Sequence, residues 1–334
     1  MEPTESKKGK AFYYFLFATM LLSLALFFAK NKYYKPVKPS KEIAFHDFYE
    51  NKLDKSKTLG VRPGDEEKLI YFGEKTDRVL LYIHGYGASR AEGEYITDSL
   101  AKKWQANAYY LRLPGHGLDK EAHNRAAFDD YLREVEETLY RVQELGDTVI
   151  VLGTSMGALL ATYLAAQYPD RVQALILFSP FYDYVSPLGV LAKIPGLIQL
   201  YALLNGNERN FEASEELQKR IDPEYYDHWT IEQKITAVQS IEDLRNFVAK
   251  SSTYEKIQAP LVCFYYYKDE ANQDHAASVK AMLNAFDQFA SDLKMKFPIE
   301  EGSHVLASEY VRTDKAAIFS GIEQWNSKWI GAAQ

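Results

Sequence analysis

Six tracts along the chain are apolar, aromatic or β-branched with few charges: residues 79–83, 108–113, 148–152, 174–178, 261–267 and 293–299. Tracts of this length and composition read as buried strands, because a strand covered on both faces has no polar side to show. Segments of helical composition separate most of them. From residue 79 onward the pattern is therefore strand alternating with helix, which predicts a mostly parallel sheet with helices on both faces. A shorter strand is expected near residues 69–72, and an amphipathic segment over 45–52. Two stretches break the rhythm. Residues 182–259 hold no convincing core strand and read as an insertion above the strand ends. Residues 11–29 carry no charge at all.

The tract at 148–152 runs straight into Gly153-Thr154-Ser155-Met156-Gly157, and a helix-forming segment follows. Gly-x-Ser-x-Gly between a buried strand and a helix is a nucleophile elbow. The turn is so tight that only small residues fit two positions either side of the serine, whose hydroxyl is lifted out at the strand end. The bare pattern is weak; its strand–turn–helix setting gives it force. A plain glycine-rich turn is the alternative. Such a serine needs a base and an orienting carboxylate, in the chain order Ser, acid, His. His304 follows the last strand tract in a Gly302-Ser303 turn, whereas His275 reads as solvated. Lys268, Asp269, Glu270 and Asp274 follow the 261–267 tract. Asp269 is nearest the strand end and is the expected acid; Asp274 is the runner-up, its other reading being a helix cap before His275. The oxyanion would be held by two backbone amides, Met156 at the helix N-terminus and Tyr86 in the loop His84-Gly85-Tyr86-Gly87. His84 would only brace that loop.

These motifs, with Leu113-Pro114-Gly115-His116-Gly117, give the chain a close resemblance to α/β-hydrolases of the monoacylglycerol lipase and carboxylesterase type, over roughly residues 68–334. The resemblance implies a Ser155-Asp269-His304 triad and a helical lid formed by the insertion. It also implies acyl transfer to water from a small-molecule or lipid ester. Two positions depart from the family pattern. Arg112 stands where many relatives carry an acid before the Gly-His-Gly turn, and Tyr266 stands where relatives often have glycine ahead of the acid. A serine nucleophile argues against relatives that use aspartate there.

Composition adds limits. With 334 residues, 47% of them hydrophobic, the chain can bury a full core, and a net charge of -7 gives no reason to expect nucleic acid. The one cysteine, Cys263, lies in a predicted core strand and reads as a small buried hydrophobe. Metal-ligand spacing is absent among the histidines, and no cofactor is expected. The uncharged residues 11–29, flanked by lysines, are expected to form a retained transmembrane helix. Lysines on both sides leave its orientation undetermined; the hydrolase domain is placed, weakly, outside the cytoplasm. The expected division is a basic tail (1–10), the anchor (11–29), a Pro-containing linker (30–44), a core (45–181 and 260–334) and a lid (182–259). The very apolar start of the lid would pack as a helix on the domain, or wall an acyl pocket and touch the bilayer. A thioesterase, amidase or C–C hydrolase with the same triad, or a silent binding module, remains open beside the esterase reading.

Overall fold

A computed structural model describes residues 7–30, 34–36, 43–185, 189–210, 213 and 215–333. Seven strands form the central sheet in the order β1-β3-β2-β4-β5-β8-β9. They are β1 (Lys68–Ile70), β2 (Thr76–Ile83), β3 (Asn107–Tyr110), β4 (Gly146–Thr154), β5 (Ala174–Phe178), β8 (Leu261–Tyr266) and β9 (Lys294–Ile299). Only the edge pair β1/β3 is antiparallel; the other pairs are parallel, as uninterrupted apolar tracts require. The remaining strands, β6 (Glu208–Asn210) and β7 (Glu232–Lys234), form a separate hairpin.

Alternation along the central strands explains why both faces are covered. On β2, Val79, Leu81 and Ile83 enter one apolar layer while Leu80 and Tyr82 enter the other; on β4, Val149 and Val151 oppose Ile150 and Leu152. The first layer is completed by helices Phe128–Val142, Met156–Gln167 and Val279–Gln288, and the second by Glu94–Trp104 and Lys315–Ala333. Cys263 faces the first layer, 3% exposed, and burial pushes its thiol up to about 12, so it is inert filling. The buried Arg112 finds its countercharge in Glu67 (3.4 Å) and also donates to Ser56 Oγ and the His116 carbonyl. A carboxylate from just before β1 thus answers the cation that departs from the family pattern.

Residues 181–260 add no strand to the main sheet. They contain helices Gly189–Lys193, Leu197–Asn205 and Val238–Val248 together with the β6/β7 hairpin. This insertion sits over the strand ends and is tied to the core by contacts that include a backbone hydrogen bond, a histidine–carboxylate pair and a β-bridge. Thr230 N–H donates to the Gly87 carbonyl (2.7 Å), His228 Nδ1 pairs with buried Asp65 (3.0 Å), and Ile221 bridges to Val311. Residues 186–188, the last two of which open the very apolar stretch, lie outside the described residues.

The expected membrane anchor is overturned. A helix, Lys7–Lys30, does cover residues 11–29, but among the described residues no helix is long and apolar enough to cross a membrane. Within the uncharged stretch Tyr13, Tyr14, Thr19 and Ser23 carry polar atoms, which lower its apolar character. The tail and linker expected on either side fall largely on residues 1–6, 31–33 and 37–42, outside the described residues. From residue 34 the chain rejoins the core: Tyr34 donates to Glu136 (2.6 Å) and Phe45 N–H to Glu144 (2.8 Å).

Candidate active site

Ser155 stands between the end of β4 and the helix Met156–Gln167 with φ 54° and ψ -115°. A non-glycine residue in such a conformation costs roughly 1–3 kcal/mol and persists only where its surroundings enforce it. Here they do. A Cβ on Gly157 would lie 1.9 Å from the Ile83 carbonyl oxygen, and one on Gly153 would lie 2.5 Å from the Gly157 backbone. The backbone is also held on both sides of the serine, by Ser155 N–H to the Phe178 carbonyl and by Phe181 N–H to the Ser155 carbonyl. The serine lines a cavity of about 660 Å³ together with His304, Tyr86 and Glu92 from the core, and it is 7% exposed.

His304 Nδ1 lies 2.7 Å from Asp274 Oδ2. Asp274 is 1% exposed, and its other oxygen accepts from the Ala276 and Ala277 amides, so the carboxylate is held at both ends. Burial pulls the His304 imidazolium down, but the Asp274 charge and hydrogen bond, with Glu92 beyond, carry its pKa above the ordinary histidine value.

The expected acid, Asp269, is not His304's partner. It is exposed and spends its oxygens on the amides of Ala271 and Asn272 and on the Asn272 side chain, which hold its pKa below the usual range. The reason is a short excursion of the chain. Tyr267 bridges back to Gln273, and Asp274 N–H donates to the Tyr266 carbonyl (3.1 Å). Asp269 caps the tip of this loop, while Asp274, farther in sequence, returns to the strand end in space.

The loop after β2 is braced by His84, which accepts from Leu113 N–H at Nε2 (3.1 Å) and so donates from Nδ1 to the Gly85 carbonyl (2.9 Å). Among the described residues neither the Tyr86 nor the Met156 amide donates to another protein group. Behind the loop, His84, His116 and His123 pack ring to ring at 4.9 and 4.8 Å. Burial drives His84 and His123 down to about 4, and it drives His116 down as well, so all three are neutral rings at pH 7. Among the described residues no cluster of His, Cys, Asp and Glu could hold a metal.

Most of the remaining cavity wall comes from the insertion. Leu191, Ile198, Leu217, Ile231, Val238 and Ile241 supply apolar surface, Tyr225 and Trp229 stack at 3.9 Å, and Arg209 and Gln233 are joined by a 2.9 Å hydrogen bond. Of the site residues expected from the sequence, Ser155, His304 and Tyr86 line this cavity, Met156 follows the serine at the helix N-terminus, and Glu92, which belongs to no motif, was passed over.

A family model described as serine aminopeptidase, S33, matches residues 74–310. The chain belongs to this α/β-hydrolase family. It is 37% identical over 100 residues to a pimeloyl-[acyl-carrier protein] methyl ester esterase of Neisseria meningitidis serogroup C, covering 30% of this chain and 35% of that protein. It is 30% identical over 100 residues to a thermostable monoacylglycerol lipase of a Bacillus species, covering 30% of this chain and 40% of that protein. The matches thus span little more than a third of these curated relatives. One solved structure, from a study of the metagenome-derived lipolytic enzymes LipS and LipT, superposes with a TM-score of 0.65 at 18% identity. It covers 80% of this chain and 99% of that one, and carries the fold.

Proposed function

We propose that this protein is a serine esterase in which Ser155, His304 and Asp274 form the triad and the Tyr86 and Met156 amides form the oxyanion hole. The observation that carries the reading is the 2.7 Å bond between His304 and Asp274 at the cavity that Ser155 lines. Asp274 fixes the imidazole tautomer with Nδ1 protonated, leaving Nε2 to take the Ser155 proton as the oxygen attacks an ester carbonyl. The negative oxygen of the tetrahedral intermediate turns toward the two undonated amides, each worth roughly 3–4 kcal/mol in the transition state. His304 then gives its proton to the departing alcohol, and water repeats the sequence to release the acid.

The insertion acts as a lid, and its apolar inner wall favours an ester with a medium-length acyl chain. The relatives named as an ester esterase and a monoacylglycerol lipase support ester rather than amide cleavage. A series of p-nitrophenyl esters from acetate to decanoate tests this. Turnover is expected to rise to a maximum at medium chain length and to vanish in Ser155→Ala. Activity confined to acetate, or aminoacyl anilides cleaved faster than any ester, would overturn it.

A further inference from the structure

Glu92 is a carboxylate, 3% exposed, that the mechanism above does not use, and among the described residues no lysine or arginine pairs with it. Burying such a group is expensive unless donors answer it. It ends the 3-10 turn Arg90–Glu92, whose first amides are capped by Ser89. The next residue, Gly93, lies flush against the Tyr82 ring, where a Cβ would be 2.0 Å away, so the turn packs inward and drives Glu92 toward the cavity. There Glu92 Oε2 accepts from Gly85 N–H (2.5 Å) and from the Tyr82 hydroxyl (3.4 Å). The same hydroxyl lies 3.0 Å from Thr154 Oγ1, on the residue just before the nucleophile. A Cβ on Gly85 would touch both carboxylate oxygens (2.8 and 3.1 Å) and the Ser155 Cβ (3.2 Å), so one glycine separates Glu92 from the serine side chain.

We propose that Glu92 is a positioning residue for acyl transfer: its carboxylate clamps the Gly85 amide, anchoring the glycine whose following peptide presents Tyr86 N–H, and places a second negative charge across the cavity from His304. This rests on the esterase reading. The clamp has a pH dependence. Burial pushes Glu92 up to about 7, against the bonds from Gly85 and Tyr82 and the charge of His304. The titratable groups facing it are Tyr82 on β2, His304 after β9 and Tyr225 of the insertion; on its own turn Arg90 is engaged with Glu66 and Glu94. The active form has Glu92 ionised and His304 neutral, so the rate falls as pH drops through neutrality. Removing the charge takes one group out of that limb and removes one of the charges that raise His304.

The test is hydrolysis of p-nitrophenyl butyrate from pH 5 to 9 by the full chain, Glu92→Gln and Glu92→Asp, alongside the rate at which a fluorophosphonate labels Ser155. For Glu92→Gln, kcat and labelling rate are expected to fall about tenfold or more, KM to stay within about threefold, and the acid limb to move to lower pH. Glu92→Asp keeps the charge with a shorter reach, so it should lose rate but keep the limb. It carries the test alone if the glutamine variant does not fold. Native kcat in a folded variant overturns the proposal, and so does a lower kcat in Glu92→Gln with an unmoved limb, which marks mere loop support. A native protein that labels without cleaving esters would sink the esterase reading while leaving Glu92 testable by labelling; one that does neither sinks both.

Discussion

Ser155, Asp274 and His304 stand on three separate turns, and the local backbone of each sets where its side chain lies before His304 and Asp274 meet in a 2.7 Å hydrogen bond. The elbow fixes the serine, the return of the 267–273 excursion fixes the carboxylate, and the turn after β9 presents the imidazole. The positions of Ser155 and His304 at the cavity were legible because each sits in a motif with a local steric logic. The carboxylate that meets His304 was not, because distance along the chain is a poor measure of distance from the strand end where the chain doubles back. The bridge between Tyr267 and Gln273 cancels six residues of sequence. Asp274 was recognisable as a cap, and it does cap Ala276 and Ala277 with one oxygen while the other meets His304. Two substitutions separate the candidates. Asp274→Asn is expected to lower kcat by roughly 10³–10⁴-fold, because the amide can favour the wrong imidazole tautomer. Asp269→Asn should leave kcat within about twofold and cost only a little stability at its exposed turn. Steady-state kinetics on both variants, with a melting curve for each, would reverse the assignment if the effects were exchanged.

At the level of elements, β4, the elbow and the following helix behave as one unit. The expected strand tracts and the observed strands agree closely in the interior of the sheet, where both faces are apolar and the signal is unbroken. Ends differ by a few residues: β4 continues through Gly153 and Thr154, because pairing with β2 and β5 persists up to the turn. The elbow carries its own stability test. In Gly157→Ala the new methyl would lie 1.9 Å from the Ile83 carbonyl oxygen, a backbone atom that cannot swing aside. Destabilisation of about 3 kcal/mol or more is expected, read as a lowered melting temperature with loss of activity. A variant that melts like the native protein would show that the elbow has more room than its geometry gives it. The insertion was legible only as a gap in the strand rhythm. Its hairpin, and the pair Arg209–Gln233 in the cavity wall, have no periodic signal short enough to read from one sequence.

Over the whole molecule, the three buried histidines behind the Gly85–Gly87 loop set an acid limit. Their folded pKa values lie below the unfolded value, so the unfolded chain takes up protons first as pH falls below about 6.5. Stability is therefore lost between about pH 6.5 and 4, by roughly 3 kcal/mol for each of His84 and His123, since burial is the cause and each drops to about 4. Denaturant melts at pH 7 and pH 4.5 should show the loss, and replacing His123 with an isosteric apolar residue should reduce it. A flat profile would contradict neutral, buried rings. The helix Lys7–Lys30 is the other large-scale outcome. Its sequence reads as a span because charge is missing over nineteen positions, but among the described residues no helix is long and apolar enough to cross a membrane. The rest of the chain leaves this helix's described side chains largely uncovered, so a chain starting at residue 34 should keep the native melting temperature and kcat.

Labelling with a fluorophosphonate, followed by peptide mass spectrometry, tests the central claim most directly. Label on Ser155, lost in Ser155→Ala and greatly slowed in Asp274→Asn, is the expected result. A folded protein that takes no label, or carries it on a residue other than Ser155, would contradict an activated serine at this elbow.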